Sequence, residues 1–186
     1  FPLSQVQKVM PNDSFYFSIV RDPGTLGESA FSYFRAAAPA FRNSPSLDAF
    51  LASPSRFFRA GLRGNHYARN LQWFDFGLPD PVPPGKIPGI LENLERVFPL
   101  VLLAESFDES LVLLRHALCW PRDSVDSFAH NARDSPRRTS RSQIRRLRAW
   151  NSLDWALYSH LNRSFWRKAE EFGLERLRRE VAELRR

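Results

Sequence analysis

The sequence predicts an α/β fold, a parallel sheet flanked by helices, with a helical carboxyl-terminal region. Two short apolar runs, Phe15 to Val20 and Leu100 to Ala104, read as mostly buried strands. Helical patterns lie between them, and two apolar strands joined through helices imply a parallel pair covered on both faces. From Arg145 to Gly173, Leu147, Trp150, Leu153, Leu157, Leu161 and Phe165 recur at helical spacing.

The first strand is bounded by Asn12-Asp13 and Asp22-Pro23. Asp22 suits a helix N-cap, and Pro23 suits the first helical position, where a missing N–H costs nothing. Leu26, Ala30, Tyr33, Phe34 and Ala37 continue the pattern until Pro39. Prolines 39, 45 and 54 and glycines 61 and 64 leave room for one short helix, Leu47 to Ala52, capped by Ser46. Asn65 to Phe76 predicts one amphipathic helix closed by Gly77. Leu78 to Gly89, with five prolines and two glycines, is a loop suited to a length-variable insertion. Ile90 to Phe98 and Asp108 to Trp120 are further helices, and Leu174 to Arg186 is a charged terminal one. A single domain over residues 1–186 is expected, with a basic segment at 133–148 and carboxyl-terminal helices at 145–186.

Of the 186 residues, 43% are hydrophobic and 25% charged, which excludes wholesale disorder. Cys119 is the single cysteine, so no internal disulfide framework is possible. The longest apolar stretch, Leu100 to Ala104, is far short of the ~20 residues that cross a bilayer. The net charge of +7 suits an anionic ligand, a nucleic acid or an acidic membrane surface without choosing among them, and much of it lies in Arg133, Arg137, Arg138, Arg141, Arg145, Arg146 and Arg148. That run lacks the interleaved aromatics of single-strand nucleic-acid grooves and reads first as a solvated loop and helix face. The chain begins at Phe1 without an initiator Met, as a piece of a longer polypeptide would.

The sharpest local feature is Ile19-Val20-Arg21-Asp22-Pro23 followed by Glu28-Ser29-Ala30. At ~100° per residue, Ser29 returns to within ~20° of the angular position of Asp22. A bidentate cation at a strand end, the free N–H groups of a helix start and a hydroxyl on the same side together suit a phosphate. The competing reading is an ordinary helix start with Arg21 paired to a nearby acid.

The stretch Phe17-Ser18-Ile19-Val20-Arg21-Asp22-Pro23 to Glu28-Ser29-Ala30-Phe31 resembles the 3′-phosphate-binding motif of carbohydrate sulfotransferases. Tyr67-Ala68-Arg69-Asn70-Leu71-Gln72-Trp73-Phe74-Asp75-Phe76-Gly77, Ala104-Glu105-Ser106-Phe107-Asp108-Glu109-Ser110-Leu111-Val112-Leu113-Leu114 and Trp150-Asn151-Ser152-Leu153-Asp154-Trp155-Ala156-Leu157-Tyr158 resemble the galactose-3-O-sulfotransferase family. Four ordered matches across nearly the whole chain are far more specific than one Arg and Ser pair.

The resemblance implies a P-loop-NTPase-like sulfotransferase fold that moves a sulfuryl group from 3′-phosphoadenylyl sulfate to the 3-hydroxyl of galactose. The acceptor would be a glycolipid, of galactosylceramide type, or a glycoprotein glycan. Arg21 and Ser29 would hold the 3′-phosphate, no metal is needed, and the setting would be the lumenal face of the Golgi membrane. Such enzymes also carry an upstream strand–loop–helix that grips the 5′-phosphosulfate, and nothing before Phe15 supplies it. The expectation is a carboxyl-terminal portion, incomplete at its amino end and inactive alone, whose membrane contact comes from a missing amino-terminal anchor.

Sulfuryl transfer needs a base and positive charge at the leaving phosphate, by analogy with phosphoryl transfer. His66, in a loop before Tyr67, is one candidate base, with helix capping as the competing role. Glu105, at the end of the second strand, is another, while Asp108 and Glu109 suit a helix's first turn on dipole grounds. His116, His130 and His160 show no metal-ligand spacing. Arg69 and Trp73 could present a cation and a ring to a sugar, or be a core Trp beside a surface Arg. Asn12 and Asn162 head glycosylation sequons, Asn162 the weaker because it falls in a strong helix. Two rival classes remain. A nucleotide kinase should show a GxxxxGK[ST] loop, absent here. A non-catalytic basic module would bind anionic glycans or nucleic acid, although no nucleic-acid partner is expected.

Overall fold

The computed structural model describes residues 3–125 and 139–185. His130, Arg133, Arg137 and Arg138 of the expectations above lie outside the described residues. In chain order the elements are α1 (Leu3–Val6), β1 (Phe17–Val20), α2 (Pro23–Tyr33), α3 (Pro39–Arg42), α4 (Leu47–Ala52), α5 (Pro54–Phe57) and α6 (Leu71–Asp75). They continue with α7 (Ile87–Val97), β2 (Leu100–Leu103), α8 (Phe107–Ala117), α9 (Arg141–Trp150), α10 (Ser152–Phe172) and α11 (Leu174–Leu184). Helices dominate, and the sheet has two parallel strands in the register Phe17↔Leu100 to Val20↔Leu103.

The chain forms two compact units. One comprises Phe1–Ser14, Arg21–Leu91 and Thr139–Tyr158, the other Phe15–Val20, Glu92–Arg138 and Ser159–Arg186.

In the first unit, Phe31, Phe41 and Phe50 meet edge-on or tilted, with Phe31 and Phe41 centroids 5.0 Å apart, and Trp150 caps Phe50 at 5.9 Å. Helix α2 lies so close to α9 that a Cβ on Gly24 would fall 2.6 Å from Ile144, and one on Gly27 2.6 Å from Leu147. Side chains there would push the helices apart, so the two glycines set the spacing. Asp22 accepts the Gly24 N–H at 2.7 Å, and Ser46 accepts the Ala49 N–H at 3.1 Å, as the capping signals required.

The predicted helix from Asn65 to Phe76 is two pieces. A 3-10 turn over Asn65–Ala68 ends before Asn70, whose left-handed φ of 49° interrupts the helix ahead of α6. The predicted helix from Arg145 likewise divides at Asn151, between α9 and α10. Both breaks occur at asparagines whose side chains replace the lost backbone hydrogen bonds.

In the second unit β2 is buried along its whole length, and Ser110 of α8 closes its end by accepting from Leu103 N (2.9 Å) and donating to Leu103 O (3.1 Å). Strand β1 departs from the mostly buried expectation. Phe17 and Ile19 are 44% and 46% exposed, and Val20 alone of its residues is buried. Alternation sends Phe17 and Ile19 to one face, and that face of β1 is open rather than covered. Residues Phe15 and Tyr16 precede the strand instead of belonging to it. Glu95 of α7 binds His160 (2.9 Å), Ser164 (2.5 Å), Arg167 and Lys168 (3.4 Å) of α10. Burial opposes ionisation of Glu95, but the Ser164 hydrogen bond, Lys168, His160 and Arg167 outweigh it and hold the carboxyl at about 2.

Candidate functional site: the start of helix α2

Arg21 leaves its backbone in the grip of a single side chain. Its N–H donates to Gln72 Oε1 at 2.7 Å, and its carbonyl accepts from Gln72 Nε2 at 2.8 Å. The amide thus satisfies both polar groups of one residue, as a neighbouring strand would. The Arg21 side chain is exposed, and its Nε donates to Thr25 Oγ1 at 3.1 Å, while Thr25 Oγ1 donates to the Asp22 carbonyl at 3.1 Å. Nε is therefore used internally, and the two terminal nitrogens of the guanidinium make no ion pair with an acid among the described residues. The nearest acid in sequence, Asp22, is taken by Arg148, whose Nε donates to Oδ1 at 3.0 Å and whose terminal nitrogen bonds Oδ2. Arg148 also lies over the Trp155 ring, 4.3 Å from its centroid.

Ser29, half-buried, follows Thr25 by four residues on the same helix face, opposite Gly27 and Ala30, which turn inward. Thr25 and Ser29 therefore share one side of α2, and the Nε contact brings the Arg21 guanidinium to Thr25 on that side. The inward side offers no room, since the void between α2 and α9 holds about 10 Å³, enough for one water. Thr25 was not singled out by the sequence reading, although its place midway between Arg21 and Ser29 at i+4 steps was the available signal.

One part of the expected phosphate site is absent. Pro23 has no N–H, Gly24 N donates to the Asp22 carboxylate, and Thr25 N (3.0 Å) and Leu26 N (2.8 Å) donate to the Asp22 carbonyl. The first turn of α2 keeps no free N–H for an anion. The cap consumes what the helix start would have offered, so an anion here must be held by side chains.

Behind Gln72 stands a buried polar network joining two of the quoted stretches. Asp154, 1% exposed, accepts Trp73 N (2.8 Å) and Gln72 N (3.3 Å) at the start of α6. Burial pushes its carboxyl up to about 7, against the lowering effect of the Trp73 and Gln72 N–H groups and with the charge of Asp75 adding to the rise. Asn70 N donates to Asn151 Oδ1 at 2.8 Å, and Asn70 Oδ1 accepts Leu153 N at 3.2 Å. Trp150 Nε1 donates to Ala68 O at 2.7 Å, completing the seam.

The remaining predicted residues fall elsewhere. His66 is half-buried, its ring stacked on Phe74 (4.3 Å, 24°) and beside Tyr67 (4.0 Å). Burial raises the neighbouring Asp75 carboxyl above its ordinary value, and His66 acts in the opposite sense. Glu105 belongs to the second unit, exposed in the 3-10 turn Ala104–Ser106 that follows β2. Asp108 and Glu109 occupy the first turn of α8, where Asp108 accepts from Arg185 Nε at 2.6 Å. Trp73 is fully buried, donates to Pro79 O at 2.8 Å and presents no ring to a sugar, while the Arg69 guanidinium lies over Trp150 at 5.0 Å. Asn12 is exposed. Asn162 is half-buried within α10, and the Ser164 of its sequon is buried against Glu95. Of the described basic residues, Arg141, Arg145 and Arg146 are exposed on α9, while Arg148 is engaged as above.

Among the described residues no group of three His, Cys, Asp or Glu side chains could hold a metal ion, and no helix is long and apolar enough to cross a membrane. A larger cleft of about 430 Å³ lies in the second unit, lined by Glu109, Trp166, Leu174, Leu177 and Val181, and none of Arg21, Ser29, His66 and Glu105 borders it.

An exposed arginine and two hydroxyls at the start of α2, with no metal-ligand cluster among the described residues, would suit an anion in many group-transfer or binding domains and define no single activity. The family model described as galactose-3-O-sulfotransferase matches residues 1–186, and the chain belongs to that family. Its relatives include galactose-3-O-sulfotransferase 2 of Homo sapiens, 51% identical over 193 residues that cover 100% of this chain and 48% of the relative. Galactosylceramide sulfotransferase of Mus musculus is 47% identical over 193 residues, 100% of this chain and 45% of the relative. Galactose-3-O-sulfotransferase 4 of Homo sapiens is 42% identical over 259 residues, 100% and 53%. The chain thus spans about half the length of the curated relatives it matches. No solved structure gives a significant match.

Proposed function

We propose that this chain is the nucleotide-holding portion of a sulfotransferase that uses 3′-phosphoadenylyl sulfate to sulfate the 3-hydroxyl of galactose on a glycolipid, of galactosylceramide type, or on a glycoprotein glycan. The observation that carries this reading is Arg21: an exposed guanidinium whose Nε is held by Thr25 and whose backbone is held by Gln72, without an acid partner among the described residues, beside the helix face that also carries Ser29. A terminal phosphate on ribose would take the two terminal nitrogens in a bidentate contact and the Ser29 hydroxyl as a third donor.

The reaction transfers the sulfuryl group in one displacement. The galactose oxygen attacks sulfur, the bond from sulfur to the 5′-phosphate oxygen breaks, adenosine 3′,5′-bisphosphate leaves, and the hydroxyl proton passes to a base. Glu105, exposed beyond the carboxyl end of a parallel strand, is one candidate for that base, and His66 is the other. Arg21 and Ser29 act on binding rather than on the reacting sulfur. The two-stranded sheet would then be part of a P-loop-NTPase-like sulfotransferase fold. A Golgi-lumenal setting and glycosylation at the exposed Asn12 complete the reading, with no metal required.

Calorimetric titration with adenosine 3′,5′-bisphosphate tests it. Loss of a charge-assisted contact costs about 1.5–3 kcal/mol, so Arg21→Ala should weaken binding roughly 10- to 150-fold and Ser29→Ala less. Binding by the full-length protein that ignores both substitutions overturns the reading. The exposed Arg141, Arg145 and Arg146 favour a second reading, a non-catalytic module for anionic glycans, which predicts salt-sensitive heparin binding that survives Arg21→Ala.

A further inference from the structure

We propose that Gln72 and Thr25 are positioning residues that preset the Arg21 guanidinium for a phosphate, Gln72 by clamping the Arg21 backbone and Thr25 by holding its Nε. The inference rests on the nucleotide reading above and adds to it the device that makes a surface arginine selective.

A free arginine at a loop explores many rotamers, and an anion that captures it must bear the cost of ordering them. Arg21 is ordered before any ligand arrives. Its N–H and carbonyl are both bonded to one buried carboxamide at 2.7 and 2.8 Å, which removes the backbone freedom of a residue that sits between a strand and a helix. The Thr25 contact at 3.1 Å occupies Nε and leaves the two terminal nitrogens of the exposed guanidinium to a ligand. Gln72 is held in turn, because its own N–H and that of Trp73 bond Asp154. The chain of contacts from Asp154 through Gln72 to Arg21 joins residues far apart in sequence within one unit.

Neither Gln72 nor Thr25 needs to touch the ligand for this role, and the test separates positioning from structure. In the protein at its full natural length, affinities for adenosine 3′,5′-bisphosphate and for adenosine 5′-phosphate are measured by calorimetry, and their ratio isolates the contribution of the 3′-phosphate. For Gln72→Met, close in length but unable to hydrogen-bond, the ratio should fall to within about threefold of that of Arg21→Ala, with adenosine 5′-phosphate binding unchanged within about twofold. The Arg21→Ala/Gln72→Met double variant should lose nothing further, since coupled residues are non-additive. Thr25→Val, which keeps the side-chain shape and does not depend on Gln72→Met folding, should lower the ratio about three- to tenfold, and Thr25→Ser should restore it.

A wild-type ratio retained in Gln72→Met or in Thr25→Val, or an equal loss of both ligands, overturns the positioning role while the nucleotide reading stands. A wild-type protein that does not distinguish the two nucleotides overturns the nucleotide reading itself, and the positioning role falls with it.

Discussion

Replacing Asp154 by Asn should remove a pH dependence of stability that the buried carboxyl imposes on the first unit. Asp154 is 1% exposed and caps α6 through Trp73 N and Gln72 N, yet burial pushes its carboxyl from 3.8 up to about 7. The native state therefore keeps a proton that the unfolded chain has already released. For an acid whose folded value is raised, stability is fully present below the unfolded value and is lost as pH rises through the folded one. The window runs from about pH 4 to about pH 7. At about 1.4 kcal/mol per pH unit across that window, up to about 4 kcal/mol of stability is tied to this proton, of which about 2–3 kcal/mol disappears between roughly pH 5 and pH 8. Urea unfolding followed by tryptophan fluorescence at those two pH values, on the wild type and on Asp154→Asn, measures it. The variant, which cannot ionise, should gain about 2–3 kcal/mol on the wild type as the pH rises across that interval. Parallel curves for the two proteins, or a carbon-13 carboxyl titration of Asp154 with an ordinary midpoint, would refute the reasoning.

Gly64 has a φ of +86°, and a Cβ there would meet the Ala37 carbonyl oxygen at 2.4 Å. Gly64→Ala should cost at least about 2 kcal/mol and lower Tm by roughly 5 °C or more in a thermal scan. Glu95, held at about 2, stabilises the second unit above its unfolded value near 4.5 and loses that contribution as pH falls through about 2. Glu95→Gln should accordingly be less stable than wild type at neutral pH, and acid titration of unfolding should close the gap below pH 4.5. Arg148→Ala strips the charge partner from Asp22, which is 8% exposed, and should destabilise by about 1–3 kcal/mol in urea unfolding, with part of the loss recovered in Arg148→Ala/Asp22→Asn.

Local chemistry determined what lay within a few residues of itself. Asp22-Pro23 announced the start of α2, Ser46 announced that of α4, and the Leu100 run announced a buried strand, because capping and strand propensity act over one turn or one pleat. The Arg21 and Ser29 expectation rests on the same local logic of helical spacing, and the four matching stretches carried the family.

What holds Arg21 was not legible. Gln72, Asn70, Asn151 and Asp154 read as members of quoted stretches without a role, since the partners that join them into a network lie 51 to 83 positions away. The breaks at Asn70 and Asn151 have the same origin, because two helical patterns stay continuous in periodicity while tertiary hydrogen bonds reward interrupting them. The open face of β1 was likewise decided in three dimensions, by what packs against it rather than by its own alternation, and so was the pairing of Asp22 with Arg148, 126 positions away. Periodicity reports which face of an element is apolar, and only packing reports what that face meets.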